Sequence, residues 1–530
     1  MARNSGLYLA PIPKKLTLRE GSFDTSTGRY IKIEAPDPAS LLPAARKTGL
    51  GWEATASPKA PPEQVGLVIR LEPLNDVRAE GYKLSISHDG IRIVASTPAG
   101  AFYGACTLAQ IVRNQGKPFP APQPGRQPQF PGPGFELPCL SISDWPDMQA
   151  RGVMLDISRD KVPTMETLYH LVDLLAGWKI NQFQLYTEHT FAYLAHPSVW
   201  AKASPMTGEQ IMELDAYCRE RFIELVPNQN SFGHMERWLK LDEYKHLAEC
   251  PDGFTAPWRT YDHGTSLNPL DPESVRFLAG LYDELLPNFS SRMINVGCDE
   301  TWELGKGKSL AACEKKGVGR VYLDFLIEIY RLTRERGRTM QFWGDIIMRH
   351  PELIPELPGD LIALEWGYEF DHPFEEHGSK FADSGIPFCT CPGTSSWNSL
   401  SGRTDNAVGN ITRAARVGLQ KGAIGLLNTD WGDNGHWQPL SVAYLGYLIG
   451  AMASWNARAD LVEGLPENLS LHAFGDPSGC MGRAFYDIGN IYKVFGKRTF
   501  NNAIPFSVLF SNPDDTGVEL PRRRDRPRGA

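Results

Sequence analysis

Cysteine is scarce. Nine in 530 residues, odd in number and scattered from Cys106 to Cys480, exclude the dense disulfide framework of a small secreted scaffold and fit a reducing compartment. Long hydrophobic runs are missing as well. No segment approaches the roughly 20 apolar residues that span a bilayer, and residues 1–15 hold no apolar stretch of signal-peptide length. A cytoplasmic chain without membrane attachment is therefore expected. Positive charge is not in excess either: 54 Lys and Arg against 62 Asp and Glu leave a net charge of -8, whereas a dedicated nucleic-acid binder needs a basic surface to neutralise phosphates. With 42% hydrophobic and 10% aromatic residues, most of the chain must fold. At roughly 150 residues per domain the length allows two to four domains, one of them a large barrel.

What is present falls into three parts, expected at 1–140, 141–456 and 457–530. In the first, an apolar stretch at 65–71 is followed by Tyr82, Leu84 and Ile86 alternating, a turn at His88-Asp89-Gly90, and Ile91 and Ile93 resuming the alternation. This predicts a hairpin. Phe102, Cys106, Ala109 and Val112 recur at helical spacing behind Thr97-Pro98, so a helix lies on the sheet. Prolines and glycines crowd 116–138, which reads as a linker. In the last part, the Arg-rich end at 521–530 reads as a disordered basic tail.

Between 145 and 456 the pattern becomes strand, helix, strand, helix. Apolar strand candidates stand at 151–157, 180–187, 222–227, 292–298, 339–344, 361–366, 386–391 and 423–429. Eight such units over about 300 residues are what a (β/α)8 TIM barrel requires, and continuous apolar runs suit parallel strands covered on both sides. A doubly wound open sheet is the alternative. A barrel of this kind works at the C-terminal ends of its strands. There the sequence places Asp156, Glu188 with His189, Asn228 with Asn230 and His234, Asp299 with Glu300, Asp345, Glu365 with Trp366, Trp397, and Asp430, Trp431, Asp433 and His436. Carboxylates offer acceptors to hydroxyls and tryptophans offer faces to C–H surfaces, so this rim suits a carbohydrate.

Asp299-Glu300 is the sharpest feature, because two adjacent acids close an otherwise apolar strand. Strand neighbours point to opposite faces, so both reach one ligand only if the backbone turns there. The competing account is a helix N-cap, Asp299 capping and Glu300 in the first turn. At these residues the sequence resembles glycoside hydrolase family 20, the β-N-acetylhexosaminidases. Arg151-Gly-Val-Met-Leu-Asp156 is similar to that family's first barrel strand, 226–234 to its third-strand loop and Val296-Gly-Cys-Asp-Glu300 to its catalytic strand. Ala99-Gly-Ala-Phe-Tyr103 and Thr107-Leu-Ala-Gln110 resemble the small α/β domain that precedes the barrel.

The resemblance implies an exo-acting, retaining hydrolase of terminal N-acetylglucosamine or N-acetylgalactosamine, with a glycan as its partner and neither cofactor nor metal. The sugar's own 2-acetamido oxygen would be the nucleophile, one of the exceptions to the two-carboxylate scheme. It further implies Glu300 as general acid and Asp299 as the residue that orients the acetamide. Arg151, Glu188, His234, Glu365 and Asp433 would meet the sugar's polar groups, and Trp343, Trp366, Trp397 and Trp431 would line its subsite. Two alternatives stay open: a glycosidase whose nucleophile is Glu365 or Asp345, and a carbohydrate-binding barrel without catalysis.

This chain also departs from the family. Asn228 and Asn230 stand where acids are common, Tyr186-Thr-Glu-His-Thr190 replaces an acidic pair, and no tyrosine matches the one that grips the acetamide carbonyl, for which Trp397 or Asn398 is the substitute in reach. Other signals fall away. Gly305-Lys-Gly-Lys-Ser309 lacks the leading glycine of a phosphate loop, which would stand at Trp302. Cys389 and Cys391 have no second pair to complete a zinc site, and no G-x-S-x-G elbow with a supporting triad is present.

Overall fold

The computed structural model describes residues 6–56, 60–114, 134–257 and 259–510. The 521–530 tail and most of the 116–138 linker expected above lie outside these residues. The first part is a seven-stranded sheet in the order Lys15–Asp24, Glu136–Asp144, Tyr82–Ser87, Gly90–Ala95, Val65–Leu71, Tyr30–Glu34, Glu53–Thr55. The predicted hairpin pairs Ser87 with Gly90 across its turn. Glu136–Asp144 pairs with two strands of this sheet, so the far end of the expected linker is a strand, and the sheet runs past the boundary expected at 140.

The helix Pro98–Arg113 starts where Thr97 Oγ1 accepts from the Gly100 N–H at 3.2 Å, with proline at its first position, where a missing N–H costs nothing. It is buried from Gly100 to Val112 because it lies between the sheet and the base of the barrel: Phe102 packs on Phe222, with ring centroids 5.3 Å apart, and Gln110 Nε2 donates to the Gly177 carbonyl at 3.0 Å. Beside it, Asp144 accepts from Tyr82 Oη, Lys179 Nζ and Trp455 Nε1 at 2.7, 3.1 and 2.9 Å. Lys179 and Asp144 are both fully buried. This charge pair fastens the first domain beneath the second.

The second domain is the expected barrel. Its strands are β1 (Ala150–Asp156), β2 (Gln182–Tyr186), β3 (Glu224–Val226), β4 (Met293–Asn295), β5 (Thr339–Trp343), β6 (Ile362–Trp366), β7 (Phe388–Cys391) and β8 (Gly425–Asp430). They pair in parallel, with β8 returning to β1. Between the short β3 and β4 the ring closes through Asn295 N–H to the Pro227 carbonyl and Gln229 N–H to the Asn295 carbonyl, both 2.9 Å. Amphipathic helices, among them Met165–Gly177, Val318–Glu335 and Thr404–Lys421, cover the outside.

Inside, the barrel is lined by neutral amides. Gln184 bonds to Gln182, Gln341, Asn228 and Asn295 at 2.8–3.2 Å, a network that pairs buried amides without desolvating charge, although Asn228 Oδ1 has no partner among the described residues. After the last barrel helix, Tyr444–Trp455, the chain forms further helices and then turns back to the mouth, where Ala503 N–H donates to the Asn398 carbonyl at 2.9 Å. No helix among the described residues is long and apolar enough to cross a membrane.

Candidate active site

Strand β4 stops at Asn295, and the next residues do not continue it. Gly297, Cys298 and Glu300 have φ of 68°, 72° and 50°, three left-handed residues within four positions. For Cys298 and Glu300 this costs of order 1–3 kcal/mol each. Gly297 is obligatory, since a Cβ there would stand 1.6 Å from Asn230 Oδ1. The turn breaks the strand's alternation and brings both acids to one point: His234 Nε2 lies 3.2 Å from Asp299 Oδ2 and 3.5 Å from Glu300 Oε2. The helix-cap account fails, because the next helix begins only at Leu310.

Asp299 is buried, and its Oδ1 has no hydrogen-bond partner among the described residues. Glu300 retains 32% side-chain exposure and borders a cleft with Arg159, Glu188, His234, Tyr261 and Trp302. Burial is the main force raising the Glu300 carboxyl above its ordinary value; Asp299 and Asp433 add to it, and His234 and Arg159 oppose it. Burial works against charge on His234, yet Asp299 and Glu300 outweigh it and push that imidazole up to about 9. Asp345, whose Oδ2 accepts from the Glu300 N–H at 3.4 Å, is pushed up to about 8 by burial together with Asp299 and Glu300. Three acids and one imidazolium thus share a small volume, an arrangement suited to proton transfer.

Arg151 is not at this mouth. It opens β1, so it sits at the opposite end of the strand from Asp156, fully buried against Tyr103, the Lys179 carbonyl and Glu80. The sequence missed Arg159, eight residues on and beyond the strand's C-terminal end. Asp156 Oδ2 accepts from Arg159 Nη1 at 2.8 Å, Glu188 Oε1 lies 3.2 Å from its Nη2, and the guanidinium rests over Tyr186 and Trp431. Glu188 also accepts from Tyr186 Oη at 2.9 Å. Asp433 is half-buried nearby, close enough that its charge acts on Glu300.

The aromatic wall needs two corrections. Trp343, Trp366 and Trp431 do line the barrel interior, with Trp431 4.7 Å from Tyr186 and 6.1 Å from Trp343. Trp397 is in that cluster too, but its indole N–H is spent on Asn501 Oδ1 at 2.8 Å. Asn398 is likewise committed, to the Asn501 carbonyl and to Asn434. Neither is free for a ligand's carbonyl. Tyr368 joins the wall instead, stacked on Trp366 at 5.2 Å and edge-on to Trp397 at 5.1 Å. Burial, with the Asp299 charge among the further causes, holds its phenol well above the usual range.

Glu365 faces away from the barrel interior. Leu364 and Trp366 point in, so the residue between them points out, where Glu365 Oε1 meets His372 Nε2 at 2.8 Å and His377 Nδ1 at 2.6 Å. A nucleophilic role for it is excluded by position. The Gly305–Ser309 loop is structural: its Gly307 and Ser309 amides donate to Glu249. Cys389 and Cys391 are buried in the barrel.

Comparison with known proteins points to one family. The model for "Glycosyl hydrolase family 20, catalytic domain" matches residues 149–398, and that for domain 2 of the same family matches 7–145. The chain belongs to glycoside hydrolase family 20. A β-hexosaminidase of Porphyromonas gingivalis is 24% identical to this family-20 chain over 376 residues, 65% of the chain and 46% of the relative. The chain spans about half the length of the curated relatives it matches. The fold is shared with a β-N-acetylhexosaminidase of Bacteroides fragilis (TM-score 0.68, 18% identity, 88% of this chain and 95% of that one). It is shared also with a family-20 exo-β-N-acetylglucosaminidase of Vibrio harveyi in complex with N-acetylglucosamine (TM-score 0.67, 18% identity, 90% and 78%).

Proposed function

We propose that the chain is an exo-acting, retaining β-N-acetylhexosaminidase that releases terminal N-acetylglucosamine or N-acetylgalactosamine by substrate-assisted catalysis. The observation that carries this reading is the turn at 297–300, which gathers Asp299 and Glu300 on one side of His234. Family membership and the activities named for the relatives support it.

In this reading the acetamide oxygen attacks the anomeric carbon while Glu300 protonates the departing oxygen, giving an oxazolinium intermediate; Glu300 then removes a proton from the water that opens it. Its raised pKa keeps the proton in place toward neutral pH. Asp299 Oδ1, buried and unpartnered, accepts from the acetamide N–H and faces the positive charge that develops. Arg159 and Glu188 hold ring hydroxyls, and Trp343, Trp366 and Trp431 pack on the sugar's C–H faces. Tyr368 donates to the acetamide carbonyl, the part for which the seventh strand offers no tyrosine.

A panel of glycosides with alkyl leaving groups, differing in the terminal sugar and tested on the wild type, Asp299→Asn and Glu300→Gln, checks the proposal. Hydrolysis confined to 2-acetamido sugars and lost in both variants is expected. Comparable hydrolysis of sugars lacking the acetamide would contradict it and return the protein-nucleophile alternative.

A further inference from the structure

Outside the catalytic mouth, the Glu365, His372 and His377 cluster has the composition of a metal site. Glu365 comes from β6, His372 from the loop after it, and His377 from the first turn of the helix Phe374–Ser384. One ligand atom from each lies within 4.8 Å of the other two. Glu365 is 3% exposed, and while its Oε1 faces both rings, its buried Oε2 has no hydrogen-bond partner among the described residues. A buried carboxylate with an idle oxygen is costly unless a cation compensates it.

The surroundings allow one. His372 and His377 keep 18% and 26% side-chain exposure, so an ion has a way in. The loop is folded back so tightly that a Cβ on Gly367 would stand 2.1 Å from His372 Nδ1; only glycine there lets the His372 ring turn toward Glu365. Two imidazole nitrogens and one carboxylate are a donor set for a borderline transition-metal ion, above all zinc, with water completing a tetrahedron. At Zn–N and Zn–O lengths of about 2.0–2.2 Å, ligand atoms stand roughly 3.3 Å apart. The nitrogen-to-oxygen separations of 2.8 and 2.6 Å must therefore widen by about half an ångström, within the reach of two side chains at a loop and a helix start.

We infer that Glu365, His372 and His377 bind one zinc ion behind β6, pinning the 367–373 loop that carries Tyr368 to the helix that follows. This site is separate from the catalytic acids and independent of their chemistry.

The test uses the full chain, stripped with a chelator and dialysed. Zinc is titrated by equilibrium dialysis, and cobalt(II) is titrated separately to read the visible bands of a low-symmetry site. One equivalent should bind to wild type and to Glu300→Gln, and be lost in His372→Ala/His377→Ala, with affinity for His377→Gln reduced at least tenfold. Zinc at a hundredfold excess over its dissociation constant should raise the melting midpoint of wild type by at least about 2 °C. If the double variant fails to fold, the wild type and His377→Gln still decide. No zinc bound by wild type, equal binding by the histidine variants, or loss of the ion in Glu300→Gln would overturn the inference, leaving a hydrogen-bonded Glu–His brace.

Discussion

His234 Nε2 stands 3.2 Å from Asp299 Oδ2, and this contact, with Glu300 3.5 Å away, makes the histidine a cation at neutral pH despite its burial. Its pKa of about 9 in the folded chain lies above the unfolded value of 6.5. The stability this pair contributes is therefore fully present below pH 6.5 and lost as pH rises through about 9. Urea denaturation of wild type and His234→Gln should show the larger difference at pH 6 and a smaller one at pH 9.5. An unchanged difference would mean that the imidazole does not titrate in this range.

Glu300 is raised first by burial and then by the neighbouring anions, Asp433 among them. A general acid must hold its proton, so kcat/KM falls as pH climbs through the pKa of Glu300. Asp433→Asn removes one raising charge, and the alkaline limb of the kcat/KM profile should move to lower pH. A limb that stays in place would show that Asp433 does not act on the acid.

The two arginines of the 151–159 segment should separate in activity. Arg159→Gln is expected to lower kcat/KM about 10–100-fold, the worth of one charge-assisted hydrogen bond, and to cost stability too, because it leaves buried Asp156 and Glu188 without their counter-charge. Arg151→Gln should cost stability alone. It costs about 2–3 kcal/mol, less than the 3–5 of a fully buried pair because Glu80 is 27% exposed, and leaves kcat/KM of the folded protein unchanged. A fall in kcat/KM confined to Arg151→Gln would restore Arg151 to the sugar site.

Beneath the barrel, Asp144→Asn leaves Lys179 buried without its counter-charge. A loss of about 3–5 kcal/mol is expected in denaturant unfolding at pH 7, and adding Lys179→Met should recover part of it, since removing both charges removes the desolvation cost. Additive losses would mean that the two side chains are not coupled.

All eight barrel strands can be read from the sequence because each is an apolar run long enough to stand out, and Asp299-Glu300 because charge at the end of such a run is costly without a purpose. Arg151 and Arg159 show where motif matching falls short. The matched stretch holds Arg151 and stops at Asp156, and only chain direction tells that Arg151 is at the base and Arg159, three residues past the stretch, at the mouth. The period of two carries further information: Trp366 and Tyr368 stack on one face, which marks Tyr368 for the wall and Glu365 for the outside. Asn501 had no local signal. It reaches Trp397 from more than 100 residues away, a contact set by packing of the C-terminal segment.

The division of labour between the two acids is tested most directly by leaving-group dependence in Glu300→Gln. The account predicts that kcat/KM drops about 10²–10⁴-fold for a 2-acetamido sugar with an alkyl leaving group, and changes little when the leaving group is acidic enough to depart without a proton. An equal loss across all leaving groups, or no loss at all, would contradict the assignment of Glu300 as the proton donor.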